Sequence, residues 1–256
     1  MAKLNAALLL FLSLAALDAR AAWIEKGLND ENSPGPDLVH RYFVVENSET
    51  GERASVELAL FPTKLFTLRV IDQPAEPRNY LAEVMRRERC LAGVNGGYFD
   101  PDYRAIGLLI VDGKMIAPLQ RARLLSGILA ASQRGIQIVR VAEFSRKQKL
   151  QAAVQCGPFL VDSGNRVPGL EATRSARRTF AAIGSGHRAA VGFCSDVTLD
   201  DLGRILASSG GDFKVQRALN LDGGSSSAFW FKRKTGAPFS VPERKAVRDF
   251  VAVVPR

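Results

Sequence analysis

Leu219-Asn220-Leu221-Asp222-Gly223-Gly224-Ser225-Ser226-Ser227 sets a carboxylate, two glycines and three hydroxyls directly after a short apolar stretch. Paired glycines let the backbone turn sharply and be approached closely, because no Cβ stands in the way. Successive N–H groups in such a turn make a concavity for an anion. Asp222 beside it is poorly placed for packing and well placed for proton transfer. Asn95-Gly96-Gly97-Tyr98-Phe99-Asp100 repeats the plan with two aromatic rings after the glycines. An apolar face beside polar donors suits a sugar. Either stretch alone reads as a tight hairpin turn, since Asn-Gly and Asp-Gly favour one. Two of them in one chain, each ending an apolar run, point to a site. A third stretch, Arg177-Arg178-Thr179 ahead of apolar residues 180–183, offers a guanidinium fork matched to phosphate.

Other chemistries find little support. His40 and His187 are the two histidines, too few for a histidine zinc site, and neither lies in a catalytic context for a Ser-His-Asp triad. A serine hydrolase built on Ser225 or Ser226 lacks a base nearby in sequence. Cys90, Cys156 and Cys194 are odd in number and have no metal-ligand spacing, and each sits in or next to an apolar run. One pair of them could be oxidised in an exporting compartment. No metal site is expected from ligand spacing, although Asp and Asn side chains near a phosphate could recruit a divalent cation.

These stretches need strands to position them. Residues 38–46, 54–61 and 65–71 read as strands, the second alternating apolar and polar. Residues 80–90 read as a helix with Leu81, Val84 and Met85 on one face, delivering the chain into a short strand that ends at Asn95. Further strands are expected at 106–111, 127–131, 136–141, 150–155, 176–184 and 189–194. Gly157-Pro158 marks a bulge or an edge, because proline cannot donate to a ladder. An amphipathic helix at 199–207, with Thr198 as N-cap and Asp201 completing a capping-box-like start, returns the chain to the Asp222 motif. Many strands with two clear helices predict an α+β fold: a single domain with a strand-rich mixed sheet and a few flanking helices.

At the N-terminus, Lys3, the apolar run at 6–17 and Ala19-Arg20-Ala21 match a secretory signal peptide over residues 1–21. Residues 22–37, polar with Asn, Gly and Pro, read as an N-terminal leader, and 38–256 as the domain. No later run reaches the ~18 apolar residues of a membrane helix, so no stable membrane insertion is expected after cleavage. Periplasmic or secreted localisation follows. The net charge of +9 favours anionic partners. Export, and the lack of an aromatic-interleaved basic stripe, argue against nucleic acid. The basic cluster Lys232-Arg233-Lys234 with Arg244-Lys245 reads as a solvated face.

The two Gly-Gly motifs, Arg178-Thr179, the intervening Gly107-Leu108-Leu109-Ile110 with Asp112-Gly113, and Gln155-Cys156-Gly157-Pro158 occur in an order that resembles the phosphodiester glycosidase family. The resemblance covers roughly residues 38–255. It implies an α+β fold and hydrolysis of a sugar-1-phosphodiester on an exported or envelope glycan, freeing the sugar and leaving a phosphomonoester. The cysteine-rich and membrane-spanning regions of the mammalian member have no counterpart here, so the resemblance carries the chemistry and not its lysosomal substrate. On the matching positions, Asp222 is the expected acid/base or nucleophilic carboxylate. Arg178, with Thr179 and the backbone of Gly223, Gly224, Ser225 and Ser226, would hold the phosphate. Asn95 would bond sugar hydroxyls or orient the carboxylate, and Gly96, Gly97, Tyr98 and Phe99 would wall the sugar. A second carboxylate is wanted, with Asp100, Asp102 and Asp196 as unranked candidates. The alternative is a non-catalytic envelope glycan-binding or exopolysaccharide-binding protein that uses the same cleft.

Overall fold

A computed structural model describes residues 22–256. The signal-peptide reading falls on residues 1–21 and lies outside the described residues. Eighteen strands and two α-helices follow. The first part holds β1 (Trp23–Asn32), β2 (Val39–Asn47), β3 (Arg53–Pro62), β4 (Phe66–Asp72), α1 (Leu81–Arg87) and β5 (Ala92–Asn95). Next come β6 (Leu109–Val111), β7 (Lys114–Ala117), β8 (Gly127–Ser132), β9 (Gly135–Arg140), β10 (Ala152–Cys156), β11 (Phe159–Asp162) and β12 (Asn165–Arg166). The last part holds β13 (Ala176–Gly184), β14 (Arg188–Val197), α2 (Leu199–Ser208), β15 (Val215–Asn220), β16 (Phe229–Phe231), β17 (Phe239–Val241) and β18 (Asp249–Pro255).

The strands form three sheets in which every pairing is antiparallel: β1-β2-β3-β14-β13-β15-β11-β12, β7-β6-β10-β8-β9, and β17-β16-β5-β18-β4. The α+β class and strand-rich character stand, in three antiparallel sheets rather than one mixed sheet. Residues on β3 explain the layering. Ala59 and Phe61 enter a central core shared by all three sheets, while Val56, Leu58 and Leu60 enter a second core with Leu202, Ile205 and Leu206 of α2. A strand covered on both faces loses its polar alternation, which is why β3 is buried almost throughout. The third sheet is treated likewise: its outer face, with Trp230, Phe250 and Ala252, packs under Leu81, Val84 and Met85 of α1. Thr198 caps α2 as its sequence predicts, its hydroxyl accepting from the Asp201 N–H at 3.1 Å.

Two expectations need correction. Residues 22–37 are not a leader: 23–32 form β1, the edge strand of the large sheet, paired with β2 from Trp23↔Asn47 to Asn32↔Val39. Only Trp23 of its ten residues is buried, so it shows no apolar alternation. Its indole N–H donates to Asp201 Oδ1 at 3.0 Å and pins the strand to α2. Gly157-Pro158 does not interrupt a strand; it links β10 of the second sheet to β11 of the first. All three cysteines are buried and free.

Candidate active site

The two Gly-Gly turns meet. β5 ends at Asn95 and β15 ends at Asn220, and the turns that follow are stitched by a bond from the Asp222 N–H to the Gly96 carbonyl, 3.0 Å. Asn95 is wholly buried beneath this junction. Its Nδ2 donates to the Asp222 carbonyl at 2.7 Å, and its Oδ1 accepts from Thr179 Oγ1 at 2.8 Å and the Ala228 N–H at 3.0 Å. Asn95 and Thr179 are both 0% exposed and hold the Asp222 turn from behind, so neither lines the cleft; of the two roles expected of Asn95, orienting the carboxylate is the one this position allows. Polar groups taken out of water need partners, and these two are partners of each other.

Asp222 remains half-buried at the surface of the junction, Oδ1 accepting the Gly223 N–H at 2.9 Å. Burial raises its pKa, against the pull of the Ser226 hydroxyl, the Lys245 charge and the Gly223 N–H. A short 3-10 turn, Gly224–Ser226, follows, with Gly224 at φ +65 and no atom within 4 Å of where a Cβ would stand. The N–H groups of Ser226 and Ser227 bond back to the carbonyls of Gly223 and Gly224. Those of Gly224 and Ser225 have no such partner among the described residues, which leaves them available to an anion. Gly96 and Gly97 differ: both are buried and their N–H groups are consumed by Asp249, so they shape the site without lining it.

Arg178, the third residue of β13, stands against this turn. A Cβ on Gly223 would lie 3.9 Å from its Nη1. Its Nε donates to the Val197 carbonyl at 3.0 Å and one Nη2 hydrogen to the Arg174 carbonyl at 2.6 Å, which fixes the fork. Its carboxylate neighbour, Glu171, is 3.8 Å away. Burial lowers the Arg178 pKa, with Glu171 opposing. A buried cation this weakly compensated favours an anionic ligand. Arg177 points elsewhere, tying the Ser227 and Pro242 carbonyls together at 2.6 and 2.7 Å.

The aromatic residues divide. Tyr98 donates to the Gly157 carbonyl at 2.6 Å and receives Asn220 Nδ2 at 3.3 Å; burial pushes its pKa well above the ordinary phenol value. Phe99 stacks on Tyr103 with ring centroids 5.0 Å apart, and Lys245 Nζ lies 4.8 Å from the Phe99 centroid. Tyr103 and Lys245 thus join the site, and Lys245 is not part of a merely solvated face. The segment carrying it is tied down by Arg244 N–H to the Ser225 carbonyl, 2.8 Å, and by Glu243 Oε1 accepting the Leu81 N–H, 2.6 Å.

A carboxylate that sequence reasoning did not single out, Asp249, lies beneath the junction. Asp100 and Asp102 sit in the Arg104 turn and Asp196 is exposed on β14. Asp249 opens β18, beside β5, and is 1% exposed. Its backbone carbonyl accepts the Gly96 N–H at 2.9 Å and its Oδ1 the Gly97 N–H at 3.0 Å. Burial raises its pKa to about 7, against the Gly97 N–H; the charges of Asp72 and Asp222 push the same way and Arg248 opposes. Asp249 Oδ2, Ser226 Oγ and Asn220 Oδ1 are buried without a protein partner among the described residues, a concentration typical of working sites. Among those residues no group of three or more His, Cys, Asp or Glu side chains is placed to hold a metal ion.

The Asp249 proton has a stability consequence. Its folded-state pKa lies above the ordinary carboxylate value of ~3.9, so the folded chain keeps a proton that the unfolded chain has lost. The resulting stabilisation is full below about pH 4 and disappears as pH rises through about 7. Asp249→Asn keeps the Gly97 bond and cannot ionise. Denaturant titrations at pH 5 and pH 8 should show the variant gaining on wild type by a few kcal/mol between the two, on the scale of ~1.4 kcal/mol per pKa unit. Parallel pH dependences would remove the raised pKa.

Comparison with known proteins places these features in context. A family model described as phosphodiester glycosidase matches residues 88–254. The uncharacterized protein YigE of Escherichia coli K12 is 23% identical over 150 residues, which are 56% of this chain and 59% of that protein. The chain thus spans about three-fifths of that relative's length. The auto-inhibited catalytic domain of zebrafish N-acetylglucosamine-1-phosphodiester alpha-N-acetylglucosaminidase has the same fold, with a TM-score of 0.64 at 15% identity over 92% of this chain and 89% of that one. An exported-protein candidate of Burkholderia pseudomallei K96243 matches with a TM-score of 0.54 at 13% identity, covering 81% and 75%.

Proposed function

The chain belongs to the phosphodiester glycosidase family, and from that premise we propose that it hydrolyses the C1–O–P linkage of a sugar-1-phosphodiester at the Asp222 junction. The observation that carries this reading is the convergence of a half-buried carboxylate, a fixed guanidinium and two free N–H groups on one turn. The Asp222 carboxylate takes a proton from water as its oxygen adds to C1. The C1–O bond breaks and its electrons leave with the phosphate, which becomes a phosphomonoester. Arg178 and the Gly224 and Ser225 N–H groups hold the charge that grows there. The Phe99–Tyr103 stack offers the sugar an apolar face. Lys245 steadies ionised Asp222. Asp249 touches no substrate; it positions Gly96 and modulates Asp222 through its own charge state. The substrate belongs to an exported or envelope glycan, in keeping with the apolar N-terminal run and with a described region in which no helix is long and apolar enough to cross a membrane.

Turnover of a panel of sugar-1-phosphodiesters, read as released phosphomonoester, tests this. Arg178→Ala should lose about 10² in kcat/KM, the usual cost of one oxyanion-type donor. Arg178→Lys, with charge but no fork, should recover only part of it. If wild type turns over none of the panel while the same sugars raise its melting temperature, the cleft is a glycan receptor instead.

A further inference from the structure

On the second sheet, away from the Asp222 junction, the β6–β7 hairpin and the loop after it expose apolar side chains that none of the described residues covers. Met115 is 66% exposed, Ile116 46% and Leu124 63%. Behind Met115 lies a cleft of about 440 Å³ floored by Leu108, Ile110, Leu119 and Phe144. The same surface is basic. Lys114, Arg121 and Arg123 lie on the hairpin and loop, and Arg146, Lys147 and Lys149 on the neighbouring 144–151 segment; all six are exposed. Arg146 and Lys149 line the cleft with Met115. Elsewhere the arginines mostly sit on carboxylates, as Arg140, Arg166, Arg188, Arg204, Arg217 and Arg248 do. None of these six cations has such a partner among the described residues. Asp112 is the single acid within 112–124.

Exposed apolar side chains and unpaired cations interleaved along one hairpin and its loop, with Met115, Arg146 and Lys149 around one cleft, match the two layers of an anionic membrane surface. Headgroup phosphates attract the cations, and the apolar groups enter the acyl boundary just below. We propose that this face docks the protein on an anionic phospholipid bilayer as a peripheral protein. Charge complementarity selects the bilayer over a second copy of the chain, whose matching face would be equally positive. The docking loop also reaches the hydrolytic cleft: a Cβ on Gly157 would fall 2.1 Å from the Leu124 carbonyl, and Gly157 receives the Tyr98 hydroxyl. A protein seated this way holds its candidate active site beside the membrane surface.

Co-sedimentation with vesicles of phosphatidylglycerol and phosphatidylcholine, against phosphatidylcholine alone, tests this. All proteins carry the same N-terminus, so any contribution of residues 1–21 cancels. Wild type should partition at least tenfold better onto the anionic vesicles, and 0.5 M NaCl should abolish the difference. Lys114→Gln/Arg121→Gln/Arg123→Gln should lose tenfold or more, and so should Met115→Ser/Ile116→Ser/Leu124→Ser. Equal binding to both vesicle types overturns the proposal. So does an apolar triple variant that binds like wild type, which would mark a general polyanion surface. Hydrolysis of a soluble sugar-1-phosphodiester, unchanged in both variants, separates this result from the fate of the hydrolytic reading.

Discussion

Asp222→Asn is expected to lower kcat on a sugar-1-phosphodiester by about 10³, within the range removed with a general acid or base, while leaving the melting temperature and KM nearly unchanged. The asparagine has the same shape. Its Oδ1 can still accept the Gly223 N–H, and the backbone bond from residue 222 to the Gly96 carbonyl involves no side chain. What disappears is the ability to take up a proton. A fall in kcat and kcat/KM together would mark an interaction made only in the transition state. A rise in KM with kcat intact would assign Asp222 to sugar binding and remove it from the chemistry.

Gly96→Ala should cost about 3 kcal/mol of stability, the upper end of ordinary overpacking, and abolish turnover in the fraction that folds. The added methyl would lie 1.8 Å from Asp249 Oδ1 and 3.2 Å from the Asp249 carbonyl oxygen. The carboxylate cannot swing clear cheaply, because it is buried and bound to the Gly97 N–H. Gly96 cannot retreat either, since its N–H and carbonyl are bonded to the residues bearing the two carboxylates. Either β18 moves off β5 or the junction opens. Removing the obstacle should reverse the stability loss: Gly96→Ala/Asp249→Ala is expected to be more stable than Gly96→Ala alone in a denaturant titration. A double variant no better than the single one would show that the contact is not the cause.

The Asp222 and Asn95 turns were legible in the sequence because everything that marks them is local: an apolar run, one polar side chain and two glycines. Strand-rich α+β character was legible for the same reason. Thr179 was read as a phosphate contact, and Asn95 as a sugar contact or a support for the carboxylate, because sequence shows that a residue is polar and not which way it faces; both turn inward and satisfy each other. Lys245 looked like surface charge and is exposed, but the Arg244–Ser225 and Arg177–Pro242 bonds bring its segment to the site. Asp249 had a fainter signal, a carboxylate directly before the apolar run 250–254, where Asp222 follows its apolar run and leads into two glycines. Its importance was not readable, because strand register places Phe250 opposite Asn95. β1 was lost for the opposite reason: an edge strand with one buried side chain has no pattern to detect.

The position of β18 also bears on when the protein becomes active. Gly97 waits for a partner 152 residues further along the chain, and β18 enters its sheet between β5 and β4. Such distant pairings close late, because the loop entropy must be met before the contact forms. During synthesis from the N-terminus, both Gly-Gly turns and Arg178 leave the ribosome well before the strand that joins them. On the hydrolytic reading proposed above, the nascent chain therefore carries the Asp222 turn without the strand that shapes it. Latency of this kind, set by the order of translation alone, would spare sugar phosphodiesters inside the producing cell until the protein is complete.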